Sequence, residues 1–168
     1  MYPGPSDPDL GVFVRSLEGA LVVARDMGNS SLTIVVLCNL GMVRERANDL
    51  DNAQRHLEQA FAIAREMGHK RPEGQVLGYL GLVHARYAAF AQARSCLEGA
   101  ETLLRAVSDL ESLGIVLAIR AETEQLAGDM DAARDALAAA DAIAADVSAG
   151  AHSELGNALS RARRAVAR

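Results

Sequence analysis

LEQAFAIAREMG, residues 57–68, spaces its apolar side chains as one face of a helix, with Leu57, Ala60, Phe61 and Ala64 at intervals of three and four. The phrase is not written once. Forty residues earlier stands LEGALVVARDMG (17–28), forty later LEGAETLLRAVS (97–108), and forty later again LAAADAIAADVS (137–148). The sequence between keeps the same step. ANDLDNAQRHL (47–57), YAAFAQARSCL (87–97) and AGDMDAARDAL (127–137) share an apolar residue at Leu50, Phe90 and Met130. Each then has an alanine, at Ala53, Ala93 and Ala133, and a leucine, at Leu57, Leu97 and Leu137. LCNLGMVRER (37–46) matches LGYLGLVHAR (77–86) in its Leu-Gly pair and the following valine. LAIRAETEQL (117–126) keeps Leu117 and puts Ala121 where the other copies have glycine. A fixed interval of this length marks a repeat architecture.

Each copy holds two helical segments divided by helix breakers: Gly28-Asn29-Ser30, Asn48-Asp49, Gly68 with Pro72, Ser108-Asp109, Gly128-Asp129, and Ser148 to Gly150. The spacing predicts eight helices, over 9–27, 31–47, 51–67, 72–87, 91–106, 110–127, 131–147 and 151–166. Pro72 suits a first helical turn, where its missing N–H costs nothing. IVVLC (34–38) has the composition of a buried strand, but its segment of about 17 residues lacks a turn signal, which favours helix. Ala53, Ala93 and Ala133 fall on the inner side of the second helix of a pair, and Gly41, Gly81 and Ala121 on the first. Glycine inside a helix costs about 1 kcal/mol relative to alanine, so its recurrence points to close backbone contact. One helix pair cannot bury its apolar faces alone, and stacked pairs can.

Composition agrees. Of 168 residues, 50% are apolar and only 4% aromatic, with no Trp, a profile that suits close-packed helices. A net charge of −5 gives no general attraction to nucleic acid. Two cysteines, Cys38 and Cys96, do not make a disulfide framework, and MYPGPSDPDL (1–10) lacks the apolar run of a secretory signal. No stretch reaches the roughly 20 apolar residues that span a bilayer. The expectation is a cytoplasmic protein without membrane or nucleic-acid partners.

On these residues the chain resembles the tetratricopeptide-repeat family. Leu37, Leu40-Gly41, Ala53, Leu57 and Ala60 follow the family pattern, as do Leu77, Leu80-Gly81, Ala93, Leu97 and Ala100, with Ala133, Leu137 and Ala140 continuing it. The usual tyrosine is replaced by Arg44, His84 and Glu124, no proline ends a repeat, and the period is 40 rather than 34. The longer period is similar to that of large bacterial signalling and regulatory proteins. The resemblance implies an all-α, right-handed superhelical solenoid of antiparallel helix pairs. A tail over 1–8 would precede a single domain over 9–168: a half repeat 9–28, repeats 29–68, 69–108 and 109–148, and a capping helix 151–167.

The resemblance also places a concave groove on the first helices of each pair. Its lining would be Val35, Cys38, Asn39, Met42 and Glu45, then Gln75, Gly78, Tyr79, Leu82 and Arg86, then Ile115, Ala118, Ile119, Glu122 and Gln125. Val35 and Ile115 also adjoin core positions, so part of this set is equally readable as core. A mostly apolar lining without a Lys and Arg set suits an amphipathic helix or extended apolar segment of a protein or peptide partner. The function implied is a non-catalytic interaction scaffold. Two other readings stay open: a self-assembling module, and a sensor of a small ligand or signalling peptide in a larger protein.

The first helix carries Leu10, Val12, Phe13, Val14, Leu17, Leu21, Val22, Val23 and Met27, and is apolar nearly all round. Such a helix is normally buried all round. By register it is the second helix of a pair whose first is absent, so either the array continues before it, or the chain forms a homo-oligomer through this face, or the tail 1–8 or the next pair covers it. Arg161, Arg163, Arg164 and Arg168 end the last helix, where cations complement the dipole.

Little else in the sequence carries chemistry. His56, His69, His84 and His152 lack metal-ligand spacing, and no Gly-rich phosphate loop occurs. Cys38 and Cys96 have no activating histidine, and Asp49, Asp51, Asp109, Asp129 and Asp131 stand where N-caps are expected. Arg44, His84 and Glu124 share one register, which allows a polar row or a packed His84 with one hydrogen bond. Neither an enzyme nor a cofactor is indicated.

Overall fold

A computed structural model describes residues 8–167, with side chains from Leu10 onward. Apart from Pro8, the tail expected over 1–8 lies outside the described residues. Every segment with helical spacing is a helix: α1 Pro8–Asp26, α2 Ser30–Arg46, α3 Leu50–Glu66, α4 Lys70–Arg86, α5 Phe90–Ala106, α6 Leu110–Ala127, α7 Met130–Asp146 and α8 Glu154–Val166. No strand occurs among the described residues, and IVVLC lies within α2.

The turns explain the beat. Among the described residues, positive φ occurs at Gly28, Asn48, Gly68, Ala88, Ser108, Gly128 and Ser148, one every twenty residues. Each is the left-handed residue that ends a helix. At Ala88, for example, the Ala89 N–H donates to the His84 carbonyl at 2.9 Å and the Ala88 N–H to Ala85 at 3.0 Å, closing the last turn. The same pair of bonds recurs at Gly128, from Asp129 to Glu124 (2.9 Å) and from Gly128 to Gln125 (3.1 Å). The forty-residue repeat is thus two twenty-residue steps, each a helix of about 25 Å and a hinge.

Helix starts are less uniform. Asn29, Asp109, Asp129 and Ser153 each accept from the backbone N–H three residues on, at 3.0, 3.2, 3.1 and 3.0 Å. Asp49 does not cap α3 as expected, because its carboxylate is held by the Asn52 amide (2.7 Å) and the Arg44 guanidinium (3.0 Å). Asp51 and Asp131 stand in the first turns of α3 and α7, where their charge favours the helix dipole without capping it. The last helix begins at Glu154 rather than 151, since Ser153 supplies the cap and its hydroxyl turns the chain back onto the Gly150 carbonyl at 2.7 Å.

The chain divides into two compact units, one up to Pro72 and one from Glu73. In the first, α2 packs on both α1 and α3. A Cβ at Gly41 would stand 2.5 Å from Leu57 Cγ and 3.3 Å from the Ala53 carbonyl, so α2 and α3 approach as closely as the recurring glycine implied. In the second, Gly81 faces Leu97 and Gly74 faces Leu104, each at 2.9 Å from a built Cβ to Cγ. Residues advancing along α4 therefore meet residues receding along α5, which makes the pair antiparallel. Ala53, Ala93 and Ala133 are all fully buried, as their register requires. Helix α6 is the centre of the second unit, contacting α5, α7 and α8, and its residues are buried without a break from Ser112 to Ile119.

Candidate interaction surface

The expected groove residues fall into two groups by exposure. In the first unit Val35 and Asn39 are exposed on α2, with Cys38 and Met42 half-buried beside them. They are spaced at three and four, so they form one strip between the faces that meet α1 and α3. Val35, at 54% exposure, is an unusual residue to leave in water, and Leu32 nearby is also exposed. Glu45, at the end of the strip, is buried.

In the second unit most of the expected lining is engaged by the protein itself. The Gln75 amide donates to Ser112 Oγ at 2.8 Å. The Tyr79 hydroxyl donates to the Glu154 carboxylate, linking α4 to the start of α8. Glu122 pairs with Arg161 of α8 at 3.5 Å. Leu82, Ile115, Ala118 and Ile119 are buried, and a Cβ at Gly78 would meet Val116 Cγ2 at 2.7 Å. Arg86 is exposed and Gln125 half-buried. Helix α8 is what fills this face: Leu155, Ala158, Leu159 and Ala162 point inward and α8 packs on α6. The sequence held the signal, since these four residues recur at three and four, but periodicity does not say which earlier helix receives them.

The polar residues are paired locally. Arg44 binds Glu18 of α1 and Asp49, each at 3.0 Å, and Arg94 binds the buried Glu124 at 2.5 Å. The bond to Glu124 raises the Arg94 pKa above its ordinary value. Arg44 and Glu124 thus have their own partners rather than a shared row with His84. Arg163 reaches Asp141 at 2.7 Å, so with Arg161 it ties α8 back onto α6 and α7. Arg168 lies outside the described residues.

Neither Cys38 nor Cys96 is in a disulfide, both are half-buried, and burial pushes the Cys96 thiol up, away from the reactive thiolate. Burial pulls the His56 imidazole below its usual range, with Arg44 and Arg55 adding to the effect and the Asn52 backbone and Glu18 opposing it. Among the described residues no three His, Cys, Asp or Glu side chains gather as a metal site, and no helix is long and apolar enough to cross a membrane.

The family model for the tetratricopeptide repeat matches residues 32–106, which run from α2 to the end of α5. Over these residues, fewer than half of the chain, the sequence is similar to tetratricopeptide repeats. The tetratricopeptide fold extends beyond them. The crystal structure of BtubC (BKLC) from P. vanneervenii superposes with a TM-score of 0.71, covering 95% of this chain and 67% of that one. At 16% identity the likeness is one of fold. No curated protein matches the sequence. Tetratricopeptide repeats generally mediate protein–protein association and are generally non-catalytic, so the exposed faces of these helices are where function is to be sought.

Proposed function

We propose that the chain is a non-catalytic scaffold that docks an apolar segment of a partner protein on the strip of α2 formed by Val35, Cys38, Asn39 and Met42. The observation that carries this reading is the exposure of Val35 and Leu32 on a helix whose other faces pack against α1 and α3. A shallow apolar strip with one amide, Asn39, suits a partner helix presenting residues at three and four, since its apolar side chains need no charged clamp. In the second unit Gln75, Tyr79 and Glu122 are held by Ser112, Glu154 and Arg161, which leaves Arg86 and Gln125 as the polar positions of the expected lining nearest solvent. Leu82, Ile115, Ile119 and Glu45 serve as packing beneath those surfaces, given their burial. The mechanism is recognition by a preformed surface with no covalent step.

Peptides selected against the chain from a library of amphipathic helices test this. Val35→Glu with Met42→Glu places two charges on the strip without touching a fully buried residue. Binding should fall by about tenfold or more, the cost of desolvating a charge against an apolar guest, while helicity stays unchanged. Affinity within twofold of the original chain would remove α2 as the docking surface.

A further inference from the structure

Helix α1 has two apolar faces, and among the described residues only one is covered. Val14, Leu21 and Ala24 are buried on the side toward α2. On the other side Val12, Phe13, Val23 and Met27 are between 52% and 67% exposed. Winding at 3.6 residues per turn aligns Val12, Ser16, Gly19, Ala20, Val23 and Met27 in a strip that carries no charge. Phe13 borders the strip on one edge. Arg15 and Asp26, both exposed, border it on the other.

The repeat shows what two positions on this side do in the next pair. Forty residues on, Phe13 and Ala20 become Ala53 and Ala60, which are fully buried in α3, and there the Ala53 carbonyl and Leu57 meet Gly41 of α2. In α1 the corresponding Phe13 and Ala20 are exposed among the described residues. Large contiguous apolar surface is rarely left in water on a monomer.

We propose that this surface binds a second copy of the chain, through two α1 helices packed antiparallel about a twofold axis. The charges argue for this occupant. In an antiparallel pair related by a twofold, like edges face each other, so the Arg15 edge of one copy meets the Asp26 edge of the other, and each arginine finds an aspartate twice over. The two charges stand eleven residues apart, about 16 Å along the helix, which fixes the crossing midway at Ala20–Leu21. There the small side chains Ser16, Gly19 and Ala20 allow close approach. Val23 then lies over the gap that the second copy's Ser16, Gly19 and Ala20 leave, and Met27 lies level with its Val12 and Phe13. A head-to-tail contact is a poorer match: the exposed residues of α8 include Asn157, Ser160, Arg163 and Arg164, which offer no apolar surface to the strip. Self-complementary contacts of this kind close as dimers. One helix from each copy makes a small interface, so the dimer belongs to the weak, transient class.

Sedimentation equilibrium of the full chain from about 5 to 500 µM reads the association, a range that brackets weak dimers. The mass should rise from one chain toward two. Val23→Glu, at an exposed position, should weaken dimerisation at least tenfold with an unchanged helical circular dichroism spectrum. Arg15→Asp and Asp26→Arg should each weaken it, because each sets like charges face to face. Mixed in equal amounts, those two variants should form a heterodimer, since one copy then carries only aspartates at these positions and the other only arginines. A monomer across the whole range, as when another segment of the chain occupies the strip, overturns the proposal. So does a Val23→Glu dimer of undiminished strength, or a mixture of the two charge variants that stays monomeric. These outcomes are independent of the α2 strip, whose test reads peptide affinity.

Discussion

The turn between α4 and α5 is built from residues that do not favour it, and replacing them should stabilise the protein by a calculable amount. Ala88 holds φ at 56°, a left-handed conformation that costs an L residue roughly 1–2 kcal/mol relative to glycine. The next residue, Ala89, occupies the N-cap of α5 with φ −85° and ψ 62° but has no side chain able to cap. Asp109 and Asp129 fill the same place before α6 and α7 with φ −85° and −91° and ψ 82° and 84°, and both cap. Writing the Gly128-Asp129 pair into this turn, as Ala88→Gly with Ala89→Asp, therefore asks for a change of only about 20° in ψ at Ala89. Glycine gives back about 0.4–1 kcal/mol through the greater freedom of the unfolded chain, leaving a net gain of roughly 0.5–1 kcal/mol. The cap adds about 1 kcal/mol. A total of roughly 1.5–2 kcal/mol should raise Tm by about 3–8 °C for a chain of this size. Thermal unfolding followed by circular dichroism reads the shift, and Gly128→Ala is the mirror control, losing stability because Gly128 sits at φ 83°. An unchanged or lower Tm for the double variant, or a neutral Gly128→Ala, would refute the twenty-residue hinge.

Two further outcomes follow from the packing and the charges. Gly41→Ala and Gly81→Ala both gain helix propensity, yet each Cβ meets a leucine, at 2.5 Å for Leu57 and 2.9 Å for Leu97, so overpacking of about 1–3 kcal/mol should win, and Gly41→Ala should cost more; urea unfolding giving the reverse order would break the close-approach reading. Burial lowers the folded pKa of His56 below its ordinary 6.5, so the unfolded chain binds the proton first, and stability present above about 6.5 is lost as pH falls through that value toward the folded pKa. His56→Gln should flatten the fall in unfolding free energy between about pH 7.5 and 5, and an identical slope in both proteins would show that other groups set it.

The helices were legible because their period is carried by side chains that all copies must have. Ala53, Ala93 and Ala133 have to be small, and Leu57 and Leu97 have to fill the space that Gly41 and Gly81 leave. The turn at Ala88 was not legible from its own residues, since Tyr87-Ala88-Ala89-Phe90 contains no breaker; only the register placed it. The start of α8 escaped for the opposite reason: a local cap, Ser153, outweighed the register. Asp49 had the position of a cap, but Arg44, five residues earlier, draws its carboxylate away. The expected lining is exposed on α2 at Val35 and Asn39 and mostly buried on α6. Ile115 and Ile119 have the spacing of a groove face, yet that face lies under α8, and a helix period records how many sides are apolar without recording which neighbour covers them. Helix α1 reads as apolar nearly all round, a pattern that does not record which of its sides are covered.

The docking role of α2 is tested most directly by locating a bound peptide. Amide chemical shifts of isotope-labelled chain, recorded as a selected amphipathic peptide is titrated in, should move along Ser31 to Arg46, with the largest changes at Val35, Asn39 and Met42. Shifts gathered on α8 or on the outer side of α5, with α2 still, would contradict the account.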